Sequence, residues 1–146
     1  MPVESQDVVP MIAYEDGLAA LDWLARAFGF LEQTRMLRPD GRLAHGEMLA
    51  GGGLIMLASP TEEYEGPRRH RESCERARAW SRVPWVIDGV LVYVDDVEQH
   101  FQRAKENGTT ILSELEEGYP GRRYRAEDLE GHRWMFMERA LDDRTA

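Results

Sequence analysis

The chain has one cysteine, Cys74, which excludes an intramolecular disulfide. It has no run approaching the ~20 consecutive apolar residues that a membrane span needs. Its N-terminus, Met1 to Gln6, carries neither a basic stretch nor an apolar one and so reads as no signal peptide. A cytoplasmic protein with no membrane partner is the expectation. Positive charge is scarce: 18 lysines and arginines stand against 27 acidic residues, a net charge of -9. That balance argues against a nucleic-acid partner, because an acidic surface repels a phosphate backbone. Lysine is nearly missing, with Lys105 alone among arginines. Two catalytic signatures are missing as well. There is no nucleophile elbow, and Gly51-Gly52-Gly53 lies between strands rather than ahead of a helix, where a phosphate-binding loop would place it.

What is present is a chain of 146 residues, a natural size for one domain. Val8 to Tyr14 is a short apolar run that reads as a strand, with Pro10 marking an edge position or a strand start. Asp16 is a good N-cap for Leu18 to Phe28, where Leu21, Leu24, Ala25 and Phe28 share one helical face. Gly29 supplies the stop. Phe30 to Leu37, Leu43 to Leu49 and Leu54 to Ala58 read as three strands joined by glycine turns. The order then repeats. Gly89 to Val94 is a strand, Asp95-Asp96 caps a helix over Val97 to Asn107, and Gly108 stops it. Thr109 to Leu115, Arg122 to Glu127 and His132 to Glu138 are strands. At a shift of 79 residues Gly29 falls on Gly108, Gly52 on Gly131 and Met56 on Met135.

The expected fold is therefore α+β, two βαβββ modules around a cleft. The whole chain, 1–146, is expected to be one domain, with modules at 7–58 and 89–139 and a charged connection at 59–88. Residues from about Arg68 to Arg82 in that connection are predicted to form a helix ended by Pro84, with Cys74, Ala77 and Trp80 facing the protein. A connection this long suits a lid, a binding loop or a subunit contact, or simply a solvated linker helix.

Four stretches together resemble the vicinal oxygen chelate superfamily, the glyoxalase, bleomycin-resistance and extradiol-dioxygenase group. They are Met11 to Asp16 running into Ala19 to Phe30; Gly52 to Leu57; Val90 to Asp96 running into Phe101 to Gly108; and Asp128-Leu-Glu-Gly-His-Arg-Trp134. The last resembles the final hairpin of the bacterial glyoxalase-like branch. The resemblance implies curved sheets facing each other around a cleft, and a homodimer. In the metal-dependent members it also implies four ligands, on the first and last strands of each module. The matching positions here read Val9, Met56, Gly89 and Met135, or Pro10 and Asp88 if the alignment slips. Val and Gly have no donor atom and thioethers are soft, so these positions do not suit a divalent ion that prefers nitrogen and oxygen. No metal and no cofactor are expected.

The remaining chemistry is weaker. His45 and Glu47 share one face of a strand and offer two ligands, but nothing completes a set; a polar pair on a sheet is the plainer reading. His70 and Cys74 are four apart, also without a second pair. His100 is expected to be exposed, and His132 to serve the last hairpin. No residue is assigned a catalytic role. The expected ligand-binding set is His45, Glu47, Met56, Trp85, Tyr93, Tyr124, Trp134 and Met135, an adaptable apolar floor with aromatic walls. Arg123, Arg125 or Arg133 could meet an anion, and Glu47 or Glu127 a cation. The function this suggests is a metal-free protein of the bleomycin-resistance type that holds a small molecule, aromatic ones included, in an apolar-aromatic cleft. A glyoxalase-like lyase or isomerase with a non-standard metal site, and a structural or regulatory dimer, are the alternatives.

Overall fold

The computed structural model describes residues 6–86 and 88–139. The expected reading of Met1 to Ser5, and the ends of the expected domain span, lie outside the described residues.

The first module comprises β1 (Met11–Ala13), α1 (Gly17–Phe28), β2 (Leu31–Leu37), β3 (Leu43–Ala50) and β4 (Gly53–Ala58). The connection carries α2 (Pro67–Ser73) and α3 (Glu75–Trp80). The second module comprises β5 (Gly89–Val94), α4 (Val97–Glu106), β6 (Thr110–Glu116), β7 (Arg123–Glu127) and β8 (Arg133–Glu138). Each module is a four-stranded mixed sheet, ordered β1-β4-β3-β2 and β5-β8-β7-β6. In each the first strand pairs in parallel with the last, and the rest are antiparallel. This is the α+β architecture expected from the repeat.

The local signals act as their chemistry requires. Asp16 Oδ1 accepts from the Ala19 amide and Asp96 Oδ1 from the Gln99 amide, both at 3.0 Å, so the two helices start on equivalent caps. Strand β1 is an edge and begins only after Pro10, shorter than the apolar run suggests, because proline cannot donate to the ladder.

The connection departs from expectation. Its helix is broken at Cys74, whose backbone is extended (φ -131°, ψ 108°), leaving two short helices. Ala77 is buried as expected, Cys74 is only partly covered, and Trp80 is exposed. Helix α2 is seated on the last hairpin: the Arg68 amide donates to Glu130 O at 2.9 Å and its guanidinium to the carbonyls of Leu129 and Asp128. Gly131 makes this approach possible. It has φ +93°, and a Cβ there would lie 2.6 Å from the Arg68 nitrogen.

The two modules share one core. Helices α1 and α4 pack on each other, and Phe28, Phe30, Trp134 and Phe136 form edge-on and tilted ring contacts across the joint. Arg103 of α4 caps the end of α1, donating to Arg26 O at 3.0 Å and Ala25 O at 3.1 Å. Gly51 (φ +61°), in the β3–β4 turn, lies against β5, where a Cβ would come 2.7 Å from Tyr93 O. Tyr14 OH, from just after β1, donates to Asp128 Oδ2 at 2.6 Å in the interior.

His100 corrects an expectation: it is not an exposed helix residue but part of this joint. Its Nε2 faces Phe28 O at 2.8 Å and must be the donor, so Nδ1 accepts from Tyr124 OH at 2.6 Å. Burial pushes its pKa down to about 4 from an ordinary 6.5, and the nearby Arg103 adds to the fall against the opposing pull of Phe28 O. A depressed folded-state pKa means that the unfolded chain takes up a proton first. This group's contribution is thus complete above about pH 6.5 and is lost as pH falls toward 4, by about 3 kcal/mol in all. His100→Gln keeps one donor and one acceptor but does not titrate. Urea unfolding at a series of pH values is expected to show the stability gap between parent and variant narrowing or reversing from pH 7 to pH 4.5. A constant gap would contradict a neutral buried His100.

Candidate functional site

Strand alternation decides which side chains face away from the helices. On β8, Trp134 and Phe136 turn to the core, and Arg133, Met135 and Met137 lie on the opposite face. On β7, Tyr124 and Ala126 face the core, and Arg123, Arg125 and Glu127 the other side. Leu91 and Tyr93 alternate in the same way with buried Val92 on β5.

Two of the eight expected ligand-binding residues turn their side chains to the core, although Trp134 still contributes to the walls of two cavities. Tyr124 is 0% exposed, its hydroxyl held by His100, and burial raises its pKa. Trp134 is 2% exposed; its indole Nε1 donates to Asp128 Oδ2 at 3.0 Å and its ring packs on Phe28 and Phe30. Both are core residues, since neighbours of Met135 and Arg125 along a strand must point the other way.

Five of the other six line three cavities. Trp85 and Met135 line a cavity of about 300 Å³ on the second sheet, with Pro84, Leu91, Arg125 and the face of Arg133. His45 and Met56 lie in a second hollow on the first sheet, with Met11, Ala13, Arg38 and Pro60. Glu47 joins them through His45: the His45 Nε2–Glu47 Oε2 distance is 2.8 Å, and Glu47 stands opposite Met56 in the ladder. Tyr93 lies elsewhere, in a more polar hollow beside Gly52 and Gly53, with the Arg139 guanidinium 4.0 Å over its ring. A further hollow with Met11, Ala13, Asp88, Gly89 and Arg133 in its walls shares residues with the first two and spans the gap between the sheets.

The first cavity owes its roof to an ionic cluster. Glu127, 1% exposed, accepts from Arg71 Nη1 and Nη2 at 2.6 Å each, and from Arg133 Nε and Nη2 at 3.2 and 3.0 Å. Burial pushes the Glu127 carboxyl up, but the two guanidiniums outweigh it and hold it below the ordinary value. Arg133 also donates to the carbonyls of Ser81, Val83 and Val86, which fixes the stretch leading to Trp85. Arg133 and Glu127, read from sequence as candidate partners for an anion and a cation, are thus engaged with each other.

Arg125, read from the sequence as a possible anion partner but not placed in the expected binding set, lines the first cavity. Strand alternation points to it, because it shares a face with Met135 across the β7–β8 ladder. Pro84 and Arg38 had no sequence signal, since their places depend on how loops cross the sheets.

The positions that the resemblance marks for a metal, Val9 or Pro10, Met56, Gly89 or Asp88, and Met135, offer two thioethers and at most one carboxylate, a donor set that does not fit a divalent ion. Among the described residues no three His, Cys, Asp or Glu side chains group as a metal site. No helix among them is long and apolar enough to cross a membrane.

The family model for the glyoxalase/bleomycin resistance protein/dioxygenase superfamily matches residues 8–136. The chain belongs to this superfamily. Among solved structures of the glyoxalase/bleomycin-resistance fold, that of TioX from Micromonospora sp. ML1 is 33% identical, with a TM-score of 0.67 over 93% of this chain and 98% of that one. An uncharacterized protein of Mycobacterium bovis, Mb0911c, is 30% identical over 130 residues, 86% of this chain and 78% of that protein. TnmS3 from Streptomyces sp. CB03234, described as an antibiotic binding protein, shares the fold at 16% identity, with a TM-score of 0.63 over 96% of this chain and all of that one. Within the superfamily, the Asp128-x-x-Gly-His-x-Trp134 stretch has a structural role here. Asp128 gathers Tyr14, Trp134 and the amides of Glu130 and His132, while His132 Nε2 donates to Ala13 O at 2.7 Å.

Proposed function

We propose that this protein binds a bulky, partly aromatic small molecule in the cleft without a metal ion and without transforming it. The observation that carries the reading is the identity of two equivalent strand positions: Met56 and Met135, each lining its own hollow, stand where the resemblance would put metal ligands. Thioethers on flexible stems suit an adaptable apolar surface, not a Lewis-acid centre. The cavity roofed by Trp85 adds an aromatic wall, and Trp85 is 72% exposed, so it supports little of the core. The fold shared with an antibiotic binding protein, TnmS3, supports the same class of activity. On this reading the protein acts in the cytoplasm as a homodimer, a second copy covering the exposed apolar residues Met11, Leu91 and Tyr93 on the cleft side. Sedimentation is expected to give twice the chain mass.

The test is a thermal-shift screen against aromatic antibiotics, with α-ketoaldehyde–thiol adducts as the comparison class, followed by titration of any hit. A ligand that binds only the native state raises the melting temperature. Trp85→Ala is expected to leave the unliganded melting temperature nearly unchanged and to weaken binding about 10- to 100-fold, the effect of removing an aromatic anchor. Shifts by the adducts alone, with conversion of the adduct, would replace this reading with the lyase or isomerase alternative.

A further inference from the structure

The geometry points to a narrower ligand class for the same cleft: a planar aromatic molecule bearing an oxyanion, a carboxylate or sulfonate, held by Arg125 beneath Trp85. This inference rests on the binding reading above and adds the charge of the ligand.

Strand register decides which charges on this face are paired. Arg133 stands opposite Glu127 in the β7–β8 ladder and pairs with it at 3.0 Å. Arg123 stands opposite Glu116 in the β6–β7 ladder and pairs with it at 3.3 Å. Arg125, between them on the same face, has Ser113 and Met135 as its cross-strand neighbours, and neither carries charge. Among the described residues the Arg125 side chain has no hydrogen bond and no ion pair, its backbone alone being engaged in the two ladders.

The surroundings make that position unusual. Arg125 is half-buried in the wall of the cavity with Pro84, Trp85, Leu91 and Met135. Among the described residues no aspartate, glutamate or histidine lines that cavity, and its second cation, Arg133, has its guanidinium donors engaged by Glu127 and the carbonyls of Ser81, Val83 and Val86. A chain of net charge -9 thus presents an uncompensated positive charge within an apolar, carboxylate-free hollow. A guanidinium is planar and offers parallel N–H donors that match a carboxylate, and it tolerates contact with aromatic faces better than an ammonium does. Trp85 beside it supplies the surface for a ring. The combination selects an aromatic acid over a neutral or cationic aromatic molecule of the same shape.

The experiment uses the full-length protein and three probes of equal ring size: 2-naphthoate, 2-naphthalenesulfonate and 2-naphthamide, titrated by tryptophan fluorescence. The parent is expected to bind the two anions at least about tenfold more tightly than the amide, the scale of a charge-assisted hydrogen bond. Arg125→Gln, which breaks no hydrogen bond or ion pair within the protein, is expected to keep the parent's melting temperature while losing the preference for the anions over 2-naphthamide. Arg125→Lys is expected to retain part of the preference. Equal affinity of the parent for anions and amide would overturn the charge assignment and leave the aromatic cleft standing. A preference that survives Arg125→Gln would overturn the role of Arg125. No binding of any probe would remove both the charge assignment and the cleft reading beneath it.

Discussion

Replacing Glu127 with alanine is expected to lower the folding free energy by about 3–5 kcal/mol, the cost of leaving one side of a buried ion pair uncompensated. Arg133 is 4% exposed and would keep its charge with no carboxylate beside it, and Arg71 would lose both of its 2.6 Å bonds. The pair itself is not expected to be a large net stabiliser, because two ions taken from water repay only part of their desolvation. The double variant Glu127→Leu/Arg133→Met is therefore expected to be more stable than Glu127→Ala alone. Chemical denaturation with urea gives both numbers. The two changes differ in a second way. Arg133 holds the Ser81, Val83 and Val86 carbonyls, so its loss frees the approach to Trp85 and is expected to weaken ligand binding even where stability recovers. A cost under about 1 kcal/mol for Glu127→Ala would mean that the cluster does not anchor the connection.

Asp128 is the second position of large effect. It is fully buried and accepts four hydrogen bonds, from Tyr14 OH, Trp134 Nε1 and the amides of Glu130 and His132. Asp128→Ala would leave Tyr14 and Trp134 with unpaired polar atoms in the interior, each costing about 1–3 kcal/mol, and the expected total is about 3–5 kcal/mol. Tyr14→Phe removes both the hydroxyl and the need for its partner, and is expected to cost about 1 kcal/mol. Asp128→Asn should fall between them, since its amide nitrogen cannot accept from Trp134. Near-UV circular dichroism gives an independent check, because a loosened Trp134 loses its fixed environment. If Asp128→Ala and Tyr14→Phe cost the same, the joint between the modules does not depend on the carboxylate.

Both predictions concern contacts that no local reading of the sequence can reach. Tyr14 and Asp128 are 114 positions apart, and Arg71 and Glu127 are 56 apart. What was legible was local and periodic. Asp16 and Asp96 announced two helix starts, and the apolar faces and turn glycines announced the same element order twice. The break at Cys74 was not legible, because it accompanies the seating of α2 on the last hairpin rather than any helix breaker in the chain. Which side chains line the cavities was legible only in part, and the cause is simple. Met135 and Trp134 adjoin on one strand, as do Arg125 and Tyr124, so the two side chains of each pair face opposite ways. Taking both members of the first pair and the aromatic of the second put two core side chains into the expected set and kept Arg125 outside it, as a possible anion partner. His100 was misjudged for a related reason: a helix against solvent and a helix against another helix have similar periodicity, and only the packing of α4 on α1 distinguishes them.

The central claim is that the cleft binds an aromatic ligand without metal and without turnover. It is tested most directly by titrating the protein with an aromatic antibiotic found in the screen, before and after exhaustive treatment with EDTA, and by recovering the ligand for mass spectrometry. The account expects the same affinity in both titrations and a recovered ligand of unchanged mass. Affinity that disappears on chelation and returns with a divalent ion, or a recovered ligand of altered mass, would contradict it.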